Sequence, residues 1–378
     1  MGIPLPEDVD GLNDRLRRLV VASHELFRES GEDAVETRFI VRKAWDNDGL
    51  FSPLDYYAIL LRHTQDWIAR YPLFEAEGNV GSIDGDLPAS MQLNRVGPSD
   101  WFQSLPVKGS GNWPSCLPYL LANGALGHTG QTEPSVVPNT SWYFDTLEPI
   151  CRSVPTGGFV GGDQRSFIPP HNLNELSKAL LHLLRYPKAS LNDVLQFVQG
   201  PDFPTRGLLT NAQDLPVLYE CGEGELVIRA RTTLKEGKKG RGVIVISEIP
   251  YGVTKMSVVE KMAIQAHSNP ELGIADIRDL SPPESIRIEV EVKDSASGPS
   301  LMELFYQGGI LANKLKVRMS VLREGKEAVI GLMGLLQAHL SHCRLYFGSD
   351  DAIRAALRDL EQRSDDRRTG VKHGPSPT

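Results

Sequence analysis

Apolar positions recur at helical spacing in the first part of the chain. In residues 11–28, GLNDRLRRLVVASHELFR, Leu12, Leu16, Leu19, Val20 and Leu26 fall on one side, which predicts an amphipathic helix. Two further helices are predicted over residues 32–45 and 53–68. The latter opens with Ser52 as N-cap and Pro53 in the first turn, where a missing N–H costs nothing. Residues 72–170 lose the period; Gly, Pro, Asn, Ser and aromatics dominate, and the stretch reads as loop. Periodicity returns at IPPHNLNELSKALLHLL, where Asn172 is placed to cap a helix carrying Leu173, Leu176, Leu180 and Leu183 on one face. Next, GELVIRARTTLKEGKKGRGVIVISEIPY reads as two strands joined by a basic turn over residues 235–241. VTKMSVVEKMAIQAH has helical spacing, and SIRIEVEVK alternates as a half-buried strand does. After residue 349 a short helix, DAIRAALRDLEQR, runs into a polar tail expected to be disordered. Mixed elements without a repeating βαβ rhythm predict an α+β fold.

Length and composition narrow this picture. At 378 residues the chain is too long for one small core and fits two domains with an appendage. No apolar run approaches the roughly 20 residues of a membrane-spanning helix, so no membrane partner is expected. The first ten residues, MGIPLPEDVD, hold neither a basic patch nor an apolar run, and a cytoplasmic location is expected. The four cysteines form no CxxC pair and meet no histidine at zinc-finger spacing; no metal and no cofactor are expected.

Seven phrases carry a stronger signal: DGL from Asp10 with Arg17 and Arg18, RYPLFEAEGNVGSIDGD from Arg70, LPYLLANGALG from Leu117, IPPHNL from Ile168, GPDFPT from Gly200, GELVIRAR from Gly224 and EIPYGVTK from Glu248. In these phrases, and in this order, the chain resembles the breakage-reunion protein of bacterial type IIA topoisomerases, the A subunit of DNA gyrase and topoisomerase IV. Weaker similarity continues to Arg344. The resemblance implies a winged-helix DNA-gate domain over residues 1–130, an aromatic, Gly/Pro-rich insertion over 131–167, a tower-like α/β domain over 168–348, and a short helix with a tail over 349–378. It also implies that the family's coiled-coil arm is missing from this chain, so a monomer or weak dimer is expected.

In the family, the loop that matches EGNVGSIDGD leads to an Arg-Tyr pair whose tyrosine attacks a DNA phosphodiester. Here those positions are Gln92 and Leu93, and neither side chain is a nucleophile. Other departures agree. The family's His-Pro-His-Gly-Asp falls on Gly49, Leu50, Phe51, Ser52 and Pro53, a family lysine falls on Glu36, and the isoleucine that wedges between base steps is His128.

Charge points the same way. Net charge is -8, and residues 71–170 carry four basic residues (Arg95, Lys108, Arg152, Arg165) against nine acidic ones, a poor footprint for a duplex. Arg17, Arg18, Arg42 and Lys43 are the surviving candidates for phosphate contact; their bland reading is a solvated helix face. Three of the five tryptophans (Trp101, Trp113, Trp142) sit with Phe102, Tyr143 and Phe144 in the rewritten stretch, where they either fill the old groove or line a pocket. His128, Trp142, Tyr143, Asp145 and His171 are the candidates for such a repurposed cleft; His171 also reads as a helix-start residue of the IPPHN phrase. The expected function is that of a relative of the topoisomerase A subunit unable to cleave DNA, retaining weak DNA binding or contact with gyrase or topoisomerase subunits. The alternative is a scaffold reused for a small-molecule ligand, as a secondary-metabolite enzyme or a gyrase-inhibitor resistance protein.

Overall fold

The computed structural model describes residues 14–45, 52–103, 167–237, 240–282, 285–323 and 326–368. The candidates His128, Trp142, Tyr143 and Asp145, and the expected insertion as a whole apart from Phe167, lie outside these residues.

The chain begins with α1 (Asp14–Ser30), whose Leu16, Leu19 and Val20 are buried as the period requires. Gly31, at φ 64, ends it, and the next residues extend instead of coiling. The helix expected from residue 32 therefore starts late: Val35–Glu36 form strand β1, and α2 runs Thr37–Trp45. α3 (Pro53–Arg62) begins where Ser52 and Pro53 place it and stops short of residue 68. There Gln65 turns inward, donating through Nε2 to the Val80 carbonyl at 2.6 Å.

The stretch expected to be loop holds two strands, β2 (Phe74–Glu77) and β3 (Arg95–Pro98), and a single helical turn, α4 (Asp100–Gln103). β1, β3 and β2 make an antiparallel sheet in that order, with Val96 opposite both Val35 and Ala76. Strands of four residues or fewer, carrying Glu at several positions, give too short a pattern to recognise; pairing with distant partners forms them.

α5 (Leu173–Arg185) is capped by Asn172, whose Oδ1 accepts from the backbone of Asn174 and Glu175. α6 (Leu191–Val194), β4 (Leu208–Leu209) and α7 (Leu215–Cys221) follow. The two-strand hairpin expected next is three strands: β5 (Glu223–Arg229), β6 (Arg231–Glu236) and β7 (Gly242–Glu248). The first of the expected strands divides at buried Ala230, so that β5 serves one sheet (β10-β5-β4) and β6 another (β6-β7-β9-β8).

α8 (Lys255–Ser268), β8 (Ile274–Asp279), β9 (Ile288–Val292), α9 (Gly298–Gln307) and β10 (Ala312–Arg318) complete this part. β11 (Ser320–Arg323) and β12 (Lys326–Val329) pair as a hairpin before α10 (Leu332–Phe347). The last helix, α11 (Asp350–Arg368), is 19 residues long, longer than expected, and packs along α5 through Ile353 and Leu357.

Buried side chains form two clusters. One joins α1–α3 and the β1-β3-β2 sheet to α5, α7, β5, β10, α10 and α11. The other lies between the β6-β7-β9-β8 sheet and the helices α8 and α9, with Ile288, Val290 and Val292 meeting Val258, Met262, Leu301 and Phe305. The i, i+4 pairs on each helix face the alternate residues of the strands.

Candidate functional site

The loop between β2 and β3, residues 78–94, is held from three sides. Asn94, fully buried, donates through Nδ2 to the Tyr57 hydroxyl (2.7 Å) and to the Asn79 carbonyl (2.8 Å). Tyr57 donates in turn to the Ala89 carbonyl at 2.7 Å. Thr37 opens α2 by donating its hydroxyl to the Met91 carbonyl at 2.6 Å and its N–H to the Asn94 carbonyl at 3.0 Å. Gly78, at φ 110, is required here, because a Cβ would stand 2.4 Å from Asn94 Oδ1. Inside the loop, Ser82 donates to Asp86 Oδ2 at 2.6 Å and accepts from the Asp84 N–H, so its hydroxyl belongs to a turn.

This frame presents a short turn in which the Leu93 N–H meets the Ser90 carbonyl at 2.9 Å. Gln92 and Leu93 both face solvent, and Leu93 is 72% exposed. The loop thus holds the aliphatic side chain of Leu93 outward.

Electrostatics around the turn favour cations. Arg95 pairs in register with Glu36 on one side and Glu77 on the other, its Nη2 lies 2.7 Å from Glu32, and Glu75 is exposed nearby on β2. Arg38 is occupied by Glu36 at 2.6 Å. Of the expected phosphate contacts, Lys43 is drawn to Glu25 (3.0 Å) and Glu29 (3.4 Å); the hydrogen bond it donates to Glu25 leads in raising its pKa. Arg42 is exposed in the last turn of α2, while Arg17 and Arg18 lie on α1, half-buried and exposed respectively.

His171 is not in a cleft. It is fully buried, its Nε2 lies 2.7 Å from the Tyr219 hydroxyl, and its backbone bridges to Pro201. The other four candidates for a repurposed cleft lie outside the described residues. Among the described residues, no group of three His, Cys, Asp or Glu residues stands together as metal ligands. No helix among them is long and apolar enough to cross a membrane.

Sequence reasoning missed Asn94, Tyr57 and Thr37, which carry the loop. Their signal was weak, since each reads as an ordinary helix, turn or strand-edge residue.

A sequence model of the DNA gyrase/topoisomerase IV A subunit matches residues 160–365, more than half of the chain. The chain belongs to this A-subunit family of DNA gyrase and topoisomerase IV. The match lies beyond the 78–94 loop, but pairwise similarity includes the earlier part. The chain is 31% identical to the DNA gyrase A subunit of Thermotoga maritima over 343 residues, covering 90% of this chain and 41% of that protein. It is 29% identical to the DNA topoisomerase 4 A subunit of Streptococcus pyogenes over 350 residues (89% and 39%), and 30% identical to the DNA gyrase A subunit of Chlamydia pneumoniae over 342 residues (89% and 39%). This family member thus spans about two fifths of the length of the curated relatives it matches.

Proposed function

We propose that this chain is a non-cleaving relative of the type IIA topoisomerase A subunit, with a winged-helix DNA-gate-like first part and a tower-like second part. The order α1-β1-α2-α3-β2-β3, with the sheet ordered β1-β3-β2, supports a winged helix whose wing is the 78–94 loop. The observation that carries the reading is position 93. Strand cleavage by covalent catalysis needs an oxygen that attacks phosphorus, and an exposed leucine has none. Gln92 beside it brings no positive charge to stabilise the phosphorane-like transition state. The scaffold keeps the gate's outline, and its acidic wing face makes any remaining duplex contact weak.

The test is covalent trapping. The purified chain is mixed with supercoiled plasmid, divalent cation, ATP and the partner protein of gyrase, then stopped with detergent. No protein-linked DNA ends and no change in plasmid topology are expected. A polypeptide covalently joined to a DNA end would overturn the reading.

A further inference from the structure

The 78–94 loop reaches beyond its own sheet. Its middle lies on the second core, at the N-terminus of α8. The first N–H groups of a helix have no acceptors within it. Here the Lys255 N–H donates to the Ile83 carbonyl at 2.9 Å, the Met256 N–H to the Asp84 carbonyl at 3.2 Å, and the Ser257 N–H to Thr254 Oγ1 at 3.1 Å. Two of the three acceptors come from the loop, a segment far away in sequence.

The Lys255 side chain completes the contact. It is 8% exposed, and its Nζ lies 2.6 Å from Asp84 Oδ1 on the loop and 2.9 Å from Asp279 Oδ2 at the end of β8. Of the two contacts the one to Asp84 is the shorter. Asp279 is itself held by the Ser281 hydroxyl (2.5 Å) and N–H (3.0 Å). Burial pulls the Lys255 ammonium pKa down, but the two carboxylates outweigh it and raise the value above that of a free lysine. Ile83 packs on the second core, and Gly85, at φ 104, lies so close that a Cβ would stand 3.2 Å from Met256 Cε.

We propose that Lys255 is a positioning residue that clamps the 78–94 loop to the second core, so that the loop and the first turn of α8 open as one cooperative unit. When the loop lifts, α8 loses two of its caps and the lysine loses a carboxylate; when α8 frays, the loop loses its seat. A partner that engages the exposed turn at Leu93 would then be felt at α8. This clamp does not depend on whether the chain cleaves DNA.

The test is hydrogen exchange by mass spectrometry on the full chain. In Lys255→Met, peptides covering residues 78–94 and 254–258 are expected to exchange roughly tenfold faster together, with the β7 and β9 peptides unchanged. Lys255→Arg, which keeps the cation, is expected to retain protection in both. If Lys255→Met does not fold, Asp84→Asn, at a half-exposed carboxylate, provides the same paired comparison. Unchanged rates, or a loop that quickens while the first turn of α8 does not, would overturn the proposal.

Discussion

Asn94 does the work of several residues: one buried amide ties the end of the loop to α3 through Tyr57 and to the loop's start through the Asn79 carbonyl. Asn94→Ala removes the donor to both partners, and the bond to the Tyr57 hydroxyl is a buried one. It should cost about 2 to 3 kcal/mol, read as a lowered urea midpoint with an unchanged slope. His63 makes a second residue-scale prediction. Burial first, and the Arg62 charge second, lower its pKa from 6.5 to about 3. The unfolded chain therefore takes up a proton below pH 6.5 that the folded chain refuses. The penalty is absent above pH 6.5, grows as pH falls toward 3, and reaches on the order of 4 kcal/mol there. Urea titrations across this range should show the loss, and His63→Gln should flatten it. Neither role was legible in the sequence, where Asn94 and His63 look like any polar residue beside a turn.

At the scale of elements, α3 starts on a local signal: Ser52 caps it and Pro53 fills its first turn. The Ser52 N–H donates to Asp55 Oδ2 at 2.8 Å, and Asp55 returns its own N–H to Ser52 Oγ at 3.4 Å. Ser52→Ala is expected to cost about 1 kcal/mol, measured as a drop in thermal midpoint, with Ser52→Asn losing little. This cap was readable beforehand because it depends on neighbours three residues apart. The strands β2 and β3 were not, because what stabilises them is the register Ala76–Val96–Val35, which joins three separate segments. The same reason explains β5 and β6: one run of β-branched residues feeds two sheets, and only the positions of β10 and β7 divide it.

At the scale of the whole molecule, charge should dominate encounters with nucleic acid. The row Glu36–Arg95–Glu77, with Glu32 and Glu75 close by, gives this face of the β1-β3-β2 sheet more carboxylates than cations. Anisotropy titrations with a short labelled duplex are expected to show weak binding whose logarithm falls with log salt at a slope shallower than about -2, corresponding to about two phosphate contacts or fewer. A slope steeper than about -4 would mean that cations outside this face carry the contact. The sequence by itself determined the helical faces of α1, α5 and α8, the alternation of β9, the family and the absence of a tyrosine at position 93, because each is written in residue identity or in a period shorter than one element. Tertiary structure alone decided that Leu93 stands in solvent, that His171 is closed in against Tyr219, and that Lys255 joins the loop to a second core. Those outcomes depend on groups brought together from distant parts of the chain, and local pattern carries no record of which distant partner will arrive.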